Sequence, residues 1–214
     1  MAEFNLASIF AGHLNIEADQ ANLIVLRHWL RALGHEVRLH AVYRDEQLAN
    51  LESFDFVLVG HGVESAWHQI DNLQPQFQQH ISHAISTGTS GLLVASAWDR
   101  YVKSISRPFA QGERKSLFAS GSIEPDSTEQ VFGYVNTATI SPVISVEGDF
   151  LLTQLHGPIF AKNSWLTMAV INRMLTKRAL QPIRSISDHE SLVKIAELEA
   201  KAIAANEYAN EPLL

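Results

Sequence analysis

Apolar and polar residues alternate over 4–10, FNLASIF, and the run stops at Ala11-Gly12, which predicts a first strand and a turn. Asp19 then precedes QANLIVLRHWLRALG, where Leu23, Leu26, Leu30 and Leu33 recur at helical spacing. That predicts a helix over 20–33, closed by Gly34 as its C-terminal cap. EVRLHAVY, 36–43, alternates again as a second strand. FDFVLVGHG, 54–62, is a short apolar run stopped by glycines, the pattern of a strand over 54–60 buried on both faces of a parallel sheet.

QPQFQQHISHAIS, 74–86, reads as an amphipathic helix with Phe77, Ile81, Ala84 and Ile85 inward, and LLVAS, 92–96, as another buried strand after the turn TGTSG. The Ser-, Gly- and Pro-rich stretch 104–128 predicts loop. Three short strands are expected in 130–136, 142–148 and 150–157. Asn163-Ser164 is placed to cap a helix over 164–177 with Trp165, Met168, Ile171, Met174 and Leu175 on one stripe. Ser187 with Glu190 fits a capping box for a last helix through about 206, a C-terminal helical extension over 187–214. Its stripe of Leu192, Ile195, Leu198 and Ala202 needs a surface to cover, so together with exposed Trp and Leu residues it suggests a protein partner or a homo-oligomer.

Alternating β and α elements with apolar strands predict an α/β fold with a doubly wound, mainly parallel sheet flanked by helices. Ligand sites in such folds lie beyond the C-terminal ends of the strands. Three stretches fall at such ends: Gly60-His61-Gly62, Ala95-Ser96-Ala97 and His156-Gly157-Pro158.

Composition narrows the chemistry. The 214 residues suit one domain. A net charge of −7, with no basic cluster, argues against nucleic acid. No apolar run approaches the roughly 20 residues of a membrane helix, and the start MAEFNLASIF lacks the basic and apolar regions of a signal peptide, so a cytoplasmic location is expected. There is no cysteine, which excludes disulfides, thiolate metal sites and thiol catalysis. His80 and His83 share a helix face but lack an obvious third ligand, so no metal and no cofactor are expected.

The pieces HLNIEADQAN, VGHG, GLLVASAW and LHGPIFAKN follow one another in the order found in class I glutamine amidotransferases of the cobyric acid synthase type. The chain resembles these over roughly residues 5–176, nearest to the amidotransferase subunit of lipid II isoglutaminyl synthase. LHGP with the following Lys162-Asn163 is the most specific match and the helix start Asp19-x-x-Asn22 the next. The resemblance implies a flavodoxin-like sheet in which a Cys–His pair hydrolyses glutamine and passes ammonia to a partner ligase.

By that resemblance His156 is the base, Gly60-His61-Gly62 the oxyanion turn, and the nucleophile elbow lies within Ala95-Ser96-Ala97-Trp98. Either Ser96 or Ala95 falls at the cysteine position. The family's elbow reads Cys-Gly-Gly, whereas this chain has Ala97 and Trp98, and His61 stands where the family has glycine. Trp98 is expected to fill the space a glutamine side chain would take. The implied function is an amidotransferase-like subunit without its nucleophile, a scaffold or regulatory partner of a Mur-ligase-like amide ligase in cell-wall or cofactor amidation. The alternative is a hydrolase or amidase using Ser96 and His156 on a small amide or ester.

Overall fold

The computed structural model describes residues 1–73, 76–104, 110–123 and 129–209. In chain order the elements are β1 (Glu3–Ile9), α1 (Ala21–Ala32), β2 (Glu36–Val42), α2 (Asp45–Leu48), β3 (Phe56–Val59), α3 (Glu64–Leu73), α4 (Phe77–Ser86), β4 (Ser90–Val94) and α5 (Ser96–Ser104). There follow β5 (Ala110–Gly121), β6 (Val131–Ile140), β7 (Ile144–Glu147), β8 (Phe150–Thr153), β9 (Leu155–His156), α6 (Ile159–Lys162), α7 (Ser164–Lys177) and α8 (Glu190–Ala209).

Six strands form one sheet in the order β2-β1-β3-β4-β8-β7, parallel except for the antiparallel edge strand β7. The parallel part follows the flavodoxin-like order of doubly wound folds, so the expected α/β class is what forms. Residue parity along the strands divides the core between the two faces. Phe4, Leu6, Phe56, Leu58, Leu92 and Val94 pack on one side with α1 and α7. Ala7, Ile9, Val57, Val59, Leu93 and Phe150 pack on the other with α3, α4 and α5. Both sides of β3 and β4 are covered, which is why these strands read as unbroken apolar runs.

The expected inward face of α4, Phe77, Ile81, Ala84 and Ile85, is buried. Gly34 ends α1 at φ +81, with its N–H on the Arg31 carbonyl and that of His35 on the Leu30 carbonyl.

Several expectations are corrected. The stretch 104–128 is not all loop: β5 pairs antiparallel with β6 from Ala110↔Ile140 to Gly121↔Val131, in a second, three-stranded sheet β5-β6-β9. Much of β5 faces solvent, so it carries no apolar alternation, and its partner lies in a distant segment. Positions 105–109 and 124–128 of that stretch lie outside the described residues, as do Gln74-Pro75 of the predicted fourth helix. The single strand expected over 150–157 divides at Gln154, with β8 in the main sheet and β9 in the second.

Asn163 stands at the N-cap of α7, but its side chain makes no capping hydrogen bond. Its Oδ1 accepts the Phe132 N–H at 2.8 Å and its Nδ2 donates to the carbonyls of Phe132 and Ile159, which ties α6 to β6. The buried face of α7 includes Leu166 and Val170 as well as Ile171, Met174 and Leu175, while Trp165 and Met168 are partly buried. The capping box is absent: Ser187 lies in a 3-10 turn capped by Ser185, and Glu190 pairs with Lys194.

On α8, Leu192 is buried but Leu198 is 66% exposed. The side chains of Ile195 and Ala202 lie outside the described residues. Trp29, Trp67 and Trp98 are all buried, so they supply no surface apolar patch. No described helix is long and apolar enough to cross a membrane.

Candidate functional site

The strand ends singled out above do converge. β4 passes to α5 through Ala95, a non-glycine residue at φ +45. A left-handed L-residue costs roughly 1–2 kcal/mol and persists only where its surroundings impose it. Here the Ala95 N–H is held on the Thr153 carbonyl at 2.7 Å, and the residue is buried. A strained strand-to-helix turn of this kind is the geometry of a nucleophile elbow. The strained residue is Ala95, which has no reactive group, and Ser96 is the first residue of α5.

The turn after β3 is pressed against the segment that follows β1. A Cβ on Gly60 would lie 2.2 Å from the Leu14 carbonyl oxygen, a backbone atom, so that position requires glycine; one on Gly62 would meet the Leu14 Cδ2 methyl at 2.5 Å, which a shift of that side chain would have to relieve. Two of the turn's N–H groups are already used. His61 N–H donates to Asp19 Oδ2 at 2.7 Å and Gly62 N–H to Ser96 Oγ at 3.0 Å. The expected oxyanion turn is therefore present in space with these two donors turned onto protein acceptors.

Ser96 Oγ also accepts the Trp67 Nε1–H at 2.9 Å. Two N–H donors occupy the two lone pairs of the hydroxyl. Its proton has two acceptors within reach, the Gly62 carbonyl at 3.0 Å and His61 Nδ1 at 2.9 Å. The hydroxyl is the hub that joins α5, α3 and the glycine turn. Trp67 was not anticipated, although Trp67 and Ile70 at i, i+3 in ESAWHQIDNL were a legible helix signal.

His156 ends β9 beside Tyr134 of β6 and is 3% exposed. Neither ring nitrogen has a hydrogen-bond partner. Its ring meets that of His61 edge-on, with centroids 4.7 Å apart. His61 contacts both His156 and Ser96, and no Ser96–His156 hydrogen bond is made. Burial lowers the His156 pKa to about 4; nearby Arg114 pushes the same way, and the Asn136 carbonyl opposes without reaching hydrogen-bond geometry. Burial likewise lowers His61 to about 4, reinforced by His156 and Arg114 and opposed by Glu17. Both imidazoles are neutral at neutral pH.

Asp19 and Asn22 hold the arrangement together. Both are fully buried. The Asp19 carboxylate accepts the His61 N–H on one oxygen and the Gly157 N–H, at 3.0 Å, on the other. Asn22 donates to the Gly157 carbonyl at 3.0 Å and accepts the Phe160 N–H at 3.1 Å. The start of α1 therefore clamps the turn after β3 to the turn after β9. Burial raises the Asp19 pKa to about 6, Glu17 adds to this, and the two N–H bonds oppose it.

Trp98, three residues beyond Ala95, is buried in the core cluster that also holds Trp67 and Tyr101. Among the described residues no group of three or more His, Asp or Glu side chains is placed to hold a metal.

No family model matches the chain, and no curated protein matches it. Among solved structures it is similar to a glutamine amidotransferase from Thermotoga maritima, 13% identical, with 93% of this chain and 97% of that one covered and a TM-score of 0.48. It is also similar to the glutaminase domain of a Trypanosoma brucei CTPS with bound acivicin, 12% identical over 85% of this chain and 96% of that one, TM-score 0.49. Drosophila melanogaster DJ-1beta is 16% identical over 91% and 96% of the two chains, TM-score 0.39.

Proposed function

We propose that the chain is a glutamine amidotransferase-like subunit, of the cobyric acid synthase type, that has lost its nucleophile and serves as a scaffold or regulatory partner of a Mur-ligase-like amide ligase. The observation that carries the reading is the elbow. Its strained residue is Ala95, and the neighbouring Ser96 hydroxyl is committed to Gly62, Trp67 and His61. Acyl transfer needs a nucleophile with a free lone pair, a base that reaches it, and unengaged donors for the oxyanion. Ala95 offers no lone pair, His156 reaches no hydroxyl, and the His61 and Gly62 N–H groups are engaged. The motif order and the Asp19–Asn22 clamp support inheritance of the family's scaffold. The docking surface and the cytoplasmic setting belong to the same proposal.

The test is ammonia release from glutamine by the purified chain, with and without a Mur-ligase-like protein that co-purifies with it. No release above background is expected from wild type or from His156→Ala. Release that depends on His156 refutes the reading.

One contact favours a second reading. Ser96 Oγ lies 2.9 Å from His61 Nδ1, a serine–imidazole pair that altered hydrolase chemistry would use. Hydrolysis of p-nitrophenyl acetate that is lost in Ser96→Ala would promote it. Equal background rates in the two proteins would remove it.

A further inference from the structure

The second sheet turns one face into the core and the other outward. Val131, Val135 and Leu155 are buried on the inner face. Strand parity therefore puts Phe132, Tyr134 and Asn136 of β6 on the outer face. The register sets Ser120, Phe118 and Ser116 of β5 opposite them, and His156 of β9 opposite Tyr134.

This outer face is aromatic, and its rings are only half-buried. Phe118 and Phe132 lie parallel, 6° apart in plane with centroids 5.7 Å apart, and Tyr134 meets Phe118 edge-on at 5.5 Å. Rings presented on an open sheet face form a platform on which other planar rings stack.

The same face carries two cations without counter-charge. Lys162, at the end of α6, holds its Nζ over Phe118, 5.0 Å from the ring centroid. Burial lowers its pKa, and no carboxylate among the described residues offsets that shift. Arg114 donates from Nε to Asn136 Oδ1 at 2.9 Å, which orients the guanidinium while its two terminal nitrogens have no acceptor among the described residues. Glu17 acts on His61 but forms no ion pair with either cation. A guanidinium held through Nε presents a fork that matches two oxygens of one anion.

Spacing and charge select among anions. Asn136 stands opposite Ser116, two residues along β5 from Phe118, so the fork lies roughly 7 Å from the rings. That is the reach from a base across its ribose to a 5′-phosphate. A net charge of −7 repels a long polyanion, whereas two cations balance a single phosphate, which carries about −1.5 to −2 at neutral pH.

We propose that the outer face of the β5–β6 hairpin binds a nucleoside monophosphate, the base stacking against Phe132 and Tyr134, the phosphate held by Arg114, and Lys162 adding positive charge beside the base. The site does not depend on the amidotransferase-like reading, and no covalent step is involved.

The experiment is an NMR titration of the ¹⁵N-labelled full chain at neutral pH with AMP, UMP, adenosine, inorganic phosphate and a short oligo(U) strand. Saturable shifts of β5 and β6 backbone amides are expected with both AMP and UMP, since stacking is tolerant of the base. Adenosine and inorganic phosphate should each bind at least tenfold more weakly than AMP, the size of one lost charged hydrogen bond. Arg114→Gln, on an exposed side chain, should weaken AMP about tenfold and leave adenosine unchanged; Lys162→Met should weaken AMP in the same sense. Phe132→Leu should weaken AMP and adenosine alike. No saturable shift with AMP or UMP overturns the proposal, as do shifts confined to another surface. Inorganic phosphate or adenosine binding as tightly as AMP does the same, and so does unchanged AMP affinity in a folded Arg114→Gln protein. An oligo(U) strand binding tenfold more tightly per nucleotide than UMP also overturns it, in favour of a strand-binding surface. The wild-type ligand series requires no variant to fold.

Discussion

Replacing Ser96 by alanine separates a structural hydroxyl from a catalytic one. The Ser96→Ala change removes the acceptor of the Gly62 N–H and of the Trp67 Nε1–H, at 3.0 and 2.9 Å. Trp67 is 1% exposed, so its indole N–H has little access to bulk water. A buried donor left without a partner costs about 1–3 kcal/mol. Two such donors, partly relieved by a water entering the small space, give a loss of roughly 2–4 kcal/mol. That is a large part of the stability of a domain this size, which lies at roughly 5–15 kcal/mol. Urea unfolding followed by tryptophan fluorescence measures it, with an unchanged m-value as the control that the denatured state is unaffected. Ser96→Cys should fall between the two proteins, since sulfur accepts hydrogen bonds weakly. A catalytic serine held for reactivity behaves oppositely, and its removal is neutral or stabilising. A loss below about 0.5 kcal/mol, the range of ordinary surface substitutions, would refute the hub role of Ser96.

Other outcomes follow from the same site. His156→Leu should be neutral or stabilising near neutral pH, measured by thermal unfolding, because it removes two unpartnered ring nitrogens from a buried position. Wild type should lose stability as pH falls from 6.5 through about 4, because the fold holds His61 and His156 neutral below their ordinary value; the leucine variant should show a shallower acid slope. Asp19 acts in the opposite sense: with a folded pKa of about 6 against 3.8, its contribution is present below 3.8 and lost as pH rises through about 6. The stability advantage of wild type over Asp19→Asn should therefore shrink across that window, and an advantage that grows with pH would show that the two N–H bonds outweigh burial. Gly60→Ala should destabilise by about 1–3 kcal/mol or more, since its Cβ would meet the Leu14 carbonyl oxygen at 2.2 Å; wild-type stability would contradict the close approach.

The site was partly legible in the sequence. Gly60, Gly62 and Ser96 follow β3 and β4, where the doubly wound topology brings ligand-binding loops together, whereas His156 is delivered to them by β9 of the second sheet. Asp19 and Asn22 were visible as a helix-start motif, but their work was not. Asp19 uses its carboxylate on His61 and Gly157 rather than on its own helix, and a local motif cannot name partners 42 and 138 positions away. Trp67, Asp99 and Gln154 went unremarked for the same reason: each is defined by a hydrogen bond across elements.

Local pattern by itself determined the elements whose burial is set by their own periodicity. The amphipathic α1, α4 and α7 and the apolar β3 and β4 were readable because each carries its burial pattern within its own few turns or residues. The absence of cysteine also settled, without any coordinates, that no thiolate can act. Tertiary structure alone decided the remainder. β5 is a strand because β6 supplies its hydrogen bonds, not because its residues favour one. The Asn163 side chain binds Phe132 and Ile159 instead of the first turn of the helix it precedes because β6 passes within reach. Ala95 is left-handed because its N–H is held by Thr153 on a strand more than fifty residues later, a strain that its own side chain does not encode. Ser96 binds Gly62 and Trp67, and His156 is left facing His61, because backbone donors and side chains from four separate segments of two sheets and their helices come together there.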